Sequence, residues 1–112
     1  MVTMEQVKNG LIKYIDTDIM PHLTGARKIG LAVYVALASD KVTDIVMQYR
    51  EHPAVAVLDV IDADGNIDID RLYQAVLPMV QSGKKIPIEI PLIGEIRLDK
   101  SDVEKIYRYI KG

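Results

Sequence analysis

The sequence predicts an α+β domain: a helical N-terminal half of two to three helices, then a small three-stranded sheet with a β-hairpin and two further helices, all within one domain over residues 1–112. Three observations carry this. Apolar residues recur at helical spacing over residues 3–19 and again over 26–50. Residues 86–98 alternate apolar and polar around Gly94, and a start signal at Ser101 opens a last amphipathic stretch.

The first helix should begin at Thr3, because Gln6 three positions later completes a capping box in which each side chain satisfies a free backbone donor. Val7, Leu11, Ile15 and Ile19 then recur every four residues, with Ile12 and Tyr14 widening the stripe, until Pro21 ends the helix. Gly10 inside it costs about 1 kcal/mol relative to alanine and therefore needs tertiary support.

Thr24 and Gly25 open a second helical stretch that is apolar on every side from Ile29 to Ala38. Such a segment reads as the central helix of the fold, or as a helix shared with a second subunit; the central position is the favoured reading. Ser39 and Asp40 interrupt the pattern, which resumes through Val42, Ile45, Val46 and Tyr49, so one helix and two remain open. Residues 54–61 are apolar except for Asp59, and Pro53 at their start favours a short helix over a buried strand.

Asp62 to Asn66 make a turn, Ile67 to Ile69 a brief third strand, and Asp70 a cap for the helix carrying Leu72, Val76, Met79 and Val80 inward. Pro78 should kink that helix or end its regular part, and Gly83 stop it. Ile86, Ile88, Ile90 and Leu92 alternate with Pro87, Glu89 and Pro91. Both prolines withhold an amide from the same side, which makes this an edge strand. The chain returns through Ile96 and Leu98, and Ser101 with Glu104 should cap a final helix packing Val103, Ile106, Tyr107 and Ile110.

Composition narrows the chemistry. Six tyrosines without phenylalanine or tryptophan leave an aliphatic core, and the lack of cysteine excludes disulfides and thiolate metal sites and suits a reducing compartment. A net charge of −2 gives no electrostatic reason to bind nucleic acid. Residues 1–6 do not read as a secretory signal, and the apolar run 29–38 is about half of what a bilayer span requires. No membrane or nucleic-acid partner is expected.

Four features are candidates for function. Asp62, Asp64, Asn66 and Asp68 place oxygen-bearing side chains at alternate positions around Gly65, as calcium loops do. Position twelve, however, is Tyr73 where a bidentate Glu is required, and the plain alternative is a solvated Asp-Gly turn. Calcium is the one cofactor this pattern suggests. Arg27 and Lys28 at a helix start suit an anion, without any glycine-rich phosphate signature. His22 and His52 each stand beside a proline and read as corner residues. Pro91, Leu92, Ile93 and Gly94 put apolar side chains at a hairpin tip, which suits a protein partner as well as folding back onto the last helix.

Lys8, Asn9 and Gly10 with Lys13 and Tyr14, the run Asp64 to Asp70 followed by Leu72 and Tyr73, and Ile106 to Ile110 together resemble uncharacterised small proteins that prophages and mobile elements of Firmicutes-type bacteria encode. That resemblance implies a bacterial or phage product, cytoplasmic in its host or associated with a virion, and transfers no catalytic residue. The expected function is that of a non-enzymatic structural or interaction protein, an assembly or accessory component working through self-association or a protein partner. The alternative is a small binding module for a metal ion or an anion.

Overall fold

Thr3 opens the first helix as its spacing to Gln6 predicts. In the computed structural model, which describes residues 1–90 and 94–112, Gln6 N donates to Thr3 Oγ1 at 3.1 Å and Thr3 N donates to Gln6 Oε1 at 2.9 Å. Helix α1 (Met4–Tyr14) then widens into one π-type turn over Ile15–Ile19 and tightens into a 3₁₀ turn over Met20–His22 that holds Pro21.

The stretch 26–50 is two helices, α2 (Gly25–Ser39) and α3 (Val42–Arg50), broken at Asp40 and Lys41. Pro53 starts α4 (Pro53–Ala56), one turn whose first amide, Ala54 N, donates to His52 Nδ1 at 3.2 Å. The helix reading of 54–61 thus holds only to Ala56. Asp59 then takes a positive φ of 52° and the chain extends through the buried Val60 into Ile61.

Helix α5 (Ile69–Val76) is capped by Asp68, whose Oδ1 accepts from Arg71 N at 3.2 Å, and not by Asp70. The expected third strand fails for the same reason: with the cap at 68 and helix from 69, only Ile67 is left extended. It forms isolated antiparallel bridges to Val2 and Ile61, with paired Val2–Ile67 backbone bonds of 2.8 Å each, and does not reach the hairpin. Among the described residues the sheet is therefore two-stranded, β1 (Ile86–Ile90) against β2 (Gly94–Leu98), antiparallel with Ile88 opposite Ile96 and Pro87 opposite Arg97. Pro78 lies in a 3₁₀ turn after α5 (Leu77–Met79) and Gly83 in a second (Gln81–Gly83). Val80 is buried between them, whereas Met79, expected inward, faces out.

The last helix, α6 (Lys100–Lys111), starts two residues earlier than Ser101 predicts. Asp99 leaves the strand extended, Asp102 N donates to its Oδ1 at 2.9 Å, and Asp99 N donates back to Asp102 Oδ2 at 3.0 Å, so two aspartates make the reciprocal cap.

Two apolar clusters hold these elements. Val2, Ile67, Ile69 and Ile110 form one, Tyr14, Val80, Leu98 and Val103 the other, and Ile106 packs against both. Helices α1 and α6 cross at Gly10, where an added Cβ would lie 2.5–2.7 Å from Ile110 Cγ1, N and Cα. That close approach is the tertiary support Gly10 requires.

Helix α2 is not the central helix. The two clusters are built from α1, α5, α6 and the hairpin together with Val2, Ile67 and Val80 of the connecting segments, Leu31 belongs to neither, and α2 takes part in none of the extensive contacts between elements among the described residues.

Candidate functional site

The tyrosines explain themselves first. Tyr14 is buried and its hydroxyl donates to Asp102 Oδ1 at 3.0 Å, so the carboxylate that caps α6 also ties α1 to it. Burial first, and then this bond beside three carboxylates, pushes the Tyr14 pKa far above the ordinary tyrosine value. Tyr109 donates to Asp18 Oδ2 at 3.4 Å while Lys105 Nζ pairs with Asp18 Oδ1 at 3.0 Å, which raises the Lys105 pKa. Tyr107 stacks on Tyr73 with centroids 4.1 Å apart and donates to Asp70. Lys111 Nζ reaches the same carboxylate at 3.0 Å, and the Tyr107 hydroxyl, then Lys111, lower the Asp70 pKa. These hydroxyls bind the last helix to the body, a task phenylalanine lacks the donor for.

The aspartate loop is organised around its own backbone. Asp62 Oδ1 accepts from Asp64 N and from Asn66 N, both at 2.9 Å, and Gly65 N donates to Asp62 O at 3.1 Å. Gly65 takes φ +82° against the Met4 side chain, and Asp68 turns to α5 as its cap. Among the described residues no three acidic or histidine side chains converge to hold a metal ion. Calcium at millimolar concentration is therefore expected to give no binding heat in calorimetry. A saturable heat would mean that Asp62 exchanges its two amides for the ion.

Arg27 and Lys28 lie exposed in the first turn of α2, whose Thr24 makes no side-chain cap. Of the hairpin tip, Pro91, Leu92 and Ile93 lie outside the described residues; Gly94 opens β2 with φ +105°. His22 is exposed in its corner turn and His52 is occupied with α4.

Two apolar surfaces lie open instead. One is a groove of about 290 Å³ walled by Val7 and Leu11 of α1, Leu72 of α5, Ile86 and Ile88 of β1 and Ile106 of α6. The other is the outer face of α2. At 100° per residue, Leu31, Val35 and Ala38 share one side of this helix, and Leu31 is 0% exposed. Ile29, Val33 and Leu37, four residues apart, share the opposite side and are 68%, 53% and 62% exposed. Ala26 and Ala36 complete this outer stripe, and Asp40 ends it. Helix α2 therefore has two apolar faces, of which one is covered. The signal was present in the sequence: a helix apolar on every side needs two surfaces to pack on. The exposed Tyr34 lies on α2 beside this stripe.

No helix among the described residues is long and apolar enough to cross a membrane. The chain matches no protein-family model, no curated protein and no solved structure.

Proposed function

We propose that the chain is a non-enzymatic interaction protein whose working surface is the outer face of α2. The single observation that carries this is the exposure of Ile29, Val33 and Leu37 along one side of a helix whose other side, at Leu31, is fully buried. Contiguous apolar stripes of this kind on a folded chain mark surfaces that meet another protein. The resemblance to small proteins of prophages and mobile elements supports an assembly or accessory role in a bacterial cytoplasm or on a virion.

The experiment separates an interaction face from a core face. Ile29→Glu with Leu37→Glu is expected to leave the circular dichroism spectrum and the melting temperature of the dilute chain unchanged, since exposed positions shift stability by no more than about 0.5 kcal/mol. Unfolding of that variant in dilute solution would show that the stripe belongs to the core, and the reading would fall.

A further inference from the structure

We infer that β2 is a self-pairing edge: two copies of the chain join antiparallel along β2, about a two-fold axis at Ile96, so that their hairpins become one four-stranded sheet. This surface is separate from α2 and does not depend on it.

In an antiparallel pair, opposed residues that exchange both backbone bonds alternate with opposed residues that exchange none. Pro87 has no amide to give, so Pro87 and Arg97 occupy a non-bonded position. The bonded pairs are then Ile86 with Leu98, Ile88 with Ile96 and Ile90 with Gly94. The backbone groups of Pro87 and Glu89 therefore face out from β1, and those of Glu95 and Arg97 face out from β2. The two edges are unequal. On β1 the proline removes one of these two outward amides, a device that keeps edge strands from pairing. On β2 both outward amides and both carbonyls are intact, and among the described residues no backbone bond outside the hairpin uses them.

What identifies the occupant is the order of charge along this edge. Glu95 and Arg97 are exposed on one face of the sheet, where Arg97 Nε donates to Glu95 Oε1 at 2.8 Å. The segment Glu95, Ile96, Arg97 complements itself when reversed. With the axis at Ile96, Glu95 of each copy exchanges two backbone bonds with Arg97 of the other, and its carboxylate lies opposite that guanidinium. Only Nε of Arg97 enters an ion pair among the described residues, which leaves the terminal nitrogens to meet the second carboxylate. The four side chains then alternate in sign around the axis. Within one hairpin Glu95 also stands directly opposite Glu89, an unfavourable like-charged pair, and Glu89 enters no ion pair among the described residues. Arg97 of the second copy adds a cation beside these two acids. On the inner face Ile96 meets Ile96, which carries the apolar side of the sheet across the axis.

Neighbouring registers lack this match. An axis at Glu95 sets two carboxylates face to face, and an axis at Arg97 sets two guanidiniums face to face with Glu95 opposite Asp99. An axis at Leu98 calls on Asp99 N, which already donates to Asp102 Oδ2 at 3.0 Å. An unrelated strand would have to carry Glu and Arg in the same order and spacing; a second copy carries them already. The contact is one short strand on another, below the ~1,200 Å² of total buried area at which stable interfaces begin, so a dissociation constant of about 0.1 mM is expected.

Sedimentation equilibrium up to about 1 mM is expected to show a monomer–dimer equilibrium, and amide exchange at Glu95 and Arg97, followed by NMR, to slow as the dimer forms. Arg97→Glu and Glu95→Arg each set like charges opposite one another, and each is expected to weaken pairing by about tenfold or more. An equimolar mixture of the two single variants pairs again, because every Glu then faces an Arg although neither chain regains its internal ion pair. The double variant, Glu95→Arg with Arg97→Glu, pairs with itself as the parent does. A strictly monomeric chain, a dimer that either single variant leaves intact, failure of both the mixture and the double variant to recover it, or unchanged exchange at the two amides each overturns the inference. So does a dimer lost in the folded Ile29→Glu with Leu37→Glu chain. The reading of α2 falls on a different observation, the unfolding of that last variant, so the two failures are distinguishable.

Discussion

Gly10→Ala is expected to destabilise the chain by about 2–3 kcal/mol, although the same substitution at an open helical position gains about 1 kcal/mol. The sign is what matters. An alanine methyl at position 10 would lie 2.7 Å from Ile110 N and Cα, which are backbone atoms of α6 and cannot swing aside as a side-chain end does. Relief requires α1 and α6 to separate, and their separation loosens the Val2, Ile67, Ile69 and Ile110 cluster. Urea unfolding followed by circular dichroism measures it. A stabilised Gly10→Ala chain would mean that the two helices do not cross at this point.

The second large effect concerns alkaline stability. Tyr14→Phe is expected to cost about 1.5 kcal/mol near neutral pH, the worth of a hydrogen bond to a charged acceptor, and to change the pH profile more than the magnitude at neutrality. The folded chain holds the Tyr14 proton well above the usual tyrosine range. Between the ordinary tyrosine pKa of about 10 and the raised folded value, the folded state keeps a proton that the unfolded state has lost. Stability from this group is therefore complete below about pH 10 and declines above it by about 1.4 kcal/mol per pH unit. Tyr107, Lys105 and Lys111 are raised as well and push in the same direction. The difference between Tyr14→Phe and the parent chain, titrated by urea unfolding from pH 8 to pH 11, isolates the buried hydroxyl: the two curves should converge as pH rises. Parallel curves would contradict the Tyr14–Asp102 bond.

Where a short-range signal had no competitor, the sequence could be read directly. Thr3 and Gln6 cap α1 as their spacing requires, and residues 86–90 pair antiparallel with 94–98, because both features depend on neighbours along the chain. The caps of α5 and α6 fall on Asp68 and Asp99, two residues before the expected Asp70 and Ser101. Both the expected and the actual residues satisfy the local pattern, and the point where the chain leaves an extended path selects one. The strict four-residue spacing of Val7, Leu11, Ile15 and Ile19 also encodes the π-type turn. A repeat of four drifts by about 40° per step on a helix of 3.6 residues per turn, and the wide π-type turn at Ile15–Ile19 unwinds that drift and brings Asp18 to Lys105 and Tyr109. The place of α2 was not legible. A buried helix and a helix awaiting a partner have the same apolar composition, and the choice depends on whether other segments have already filled the core. Of the candidate site residues, Arg27 and Lys28 belong to the same helix but stand on its Leu31 side, away from the stripe.

Ile106 is the one side chain of α6 that packs against both apolar clusters. Each cluster alone has few members, and small cores of that kind tend to open separately as local units. A shared side chain couples them, since neither cluster can disperse without stripping contacts from the other. The two halves of the interior should accordingly melt in a single transition, a coupling that Ile106 shares with the Tyr73–Tyr107 stack, whose two rings pack on different clusters.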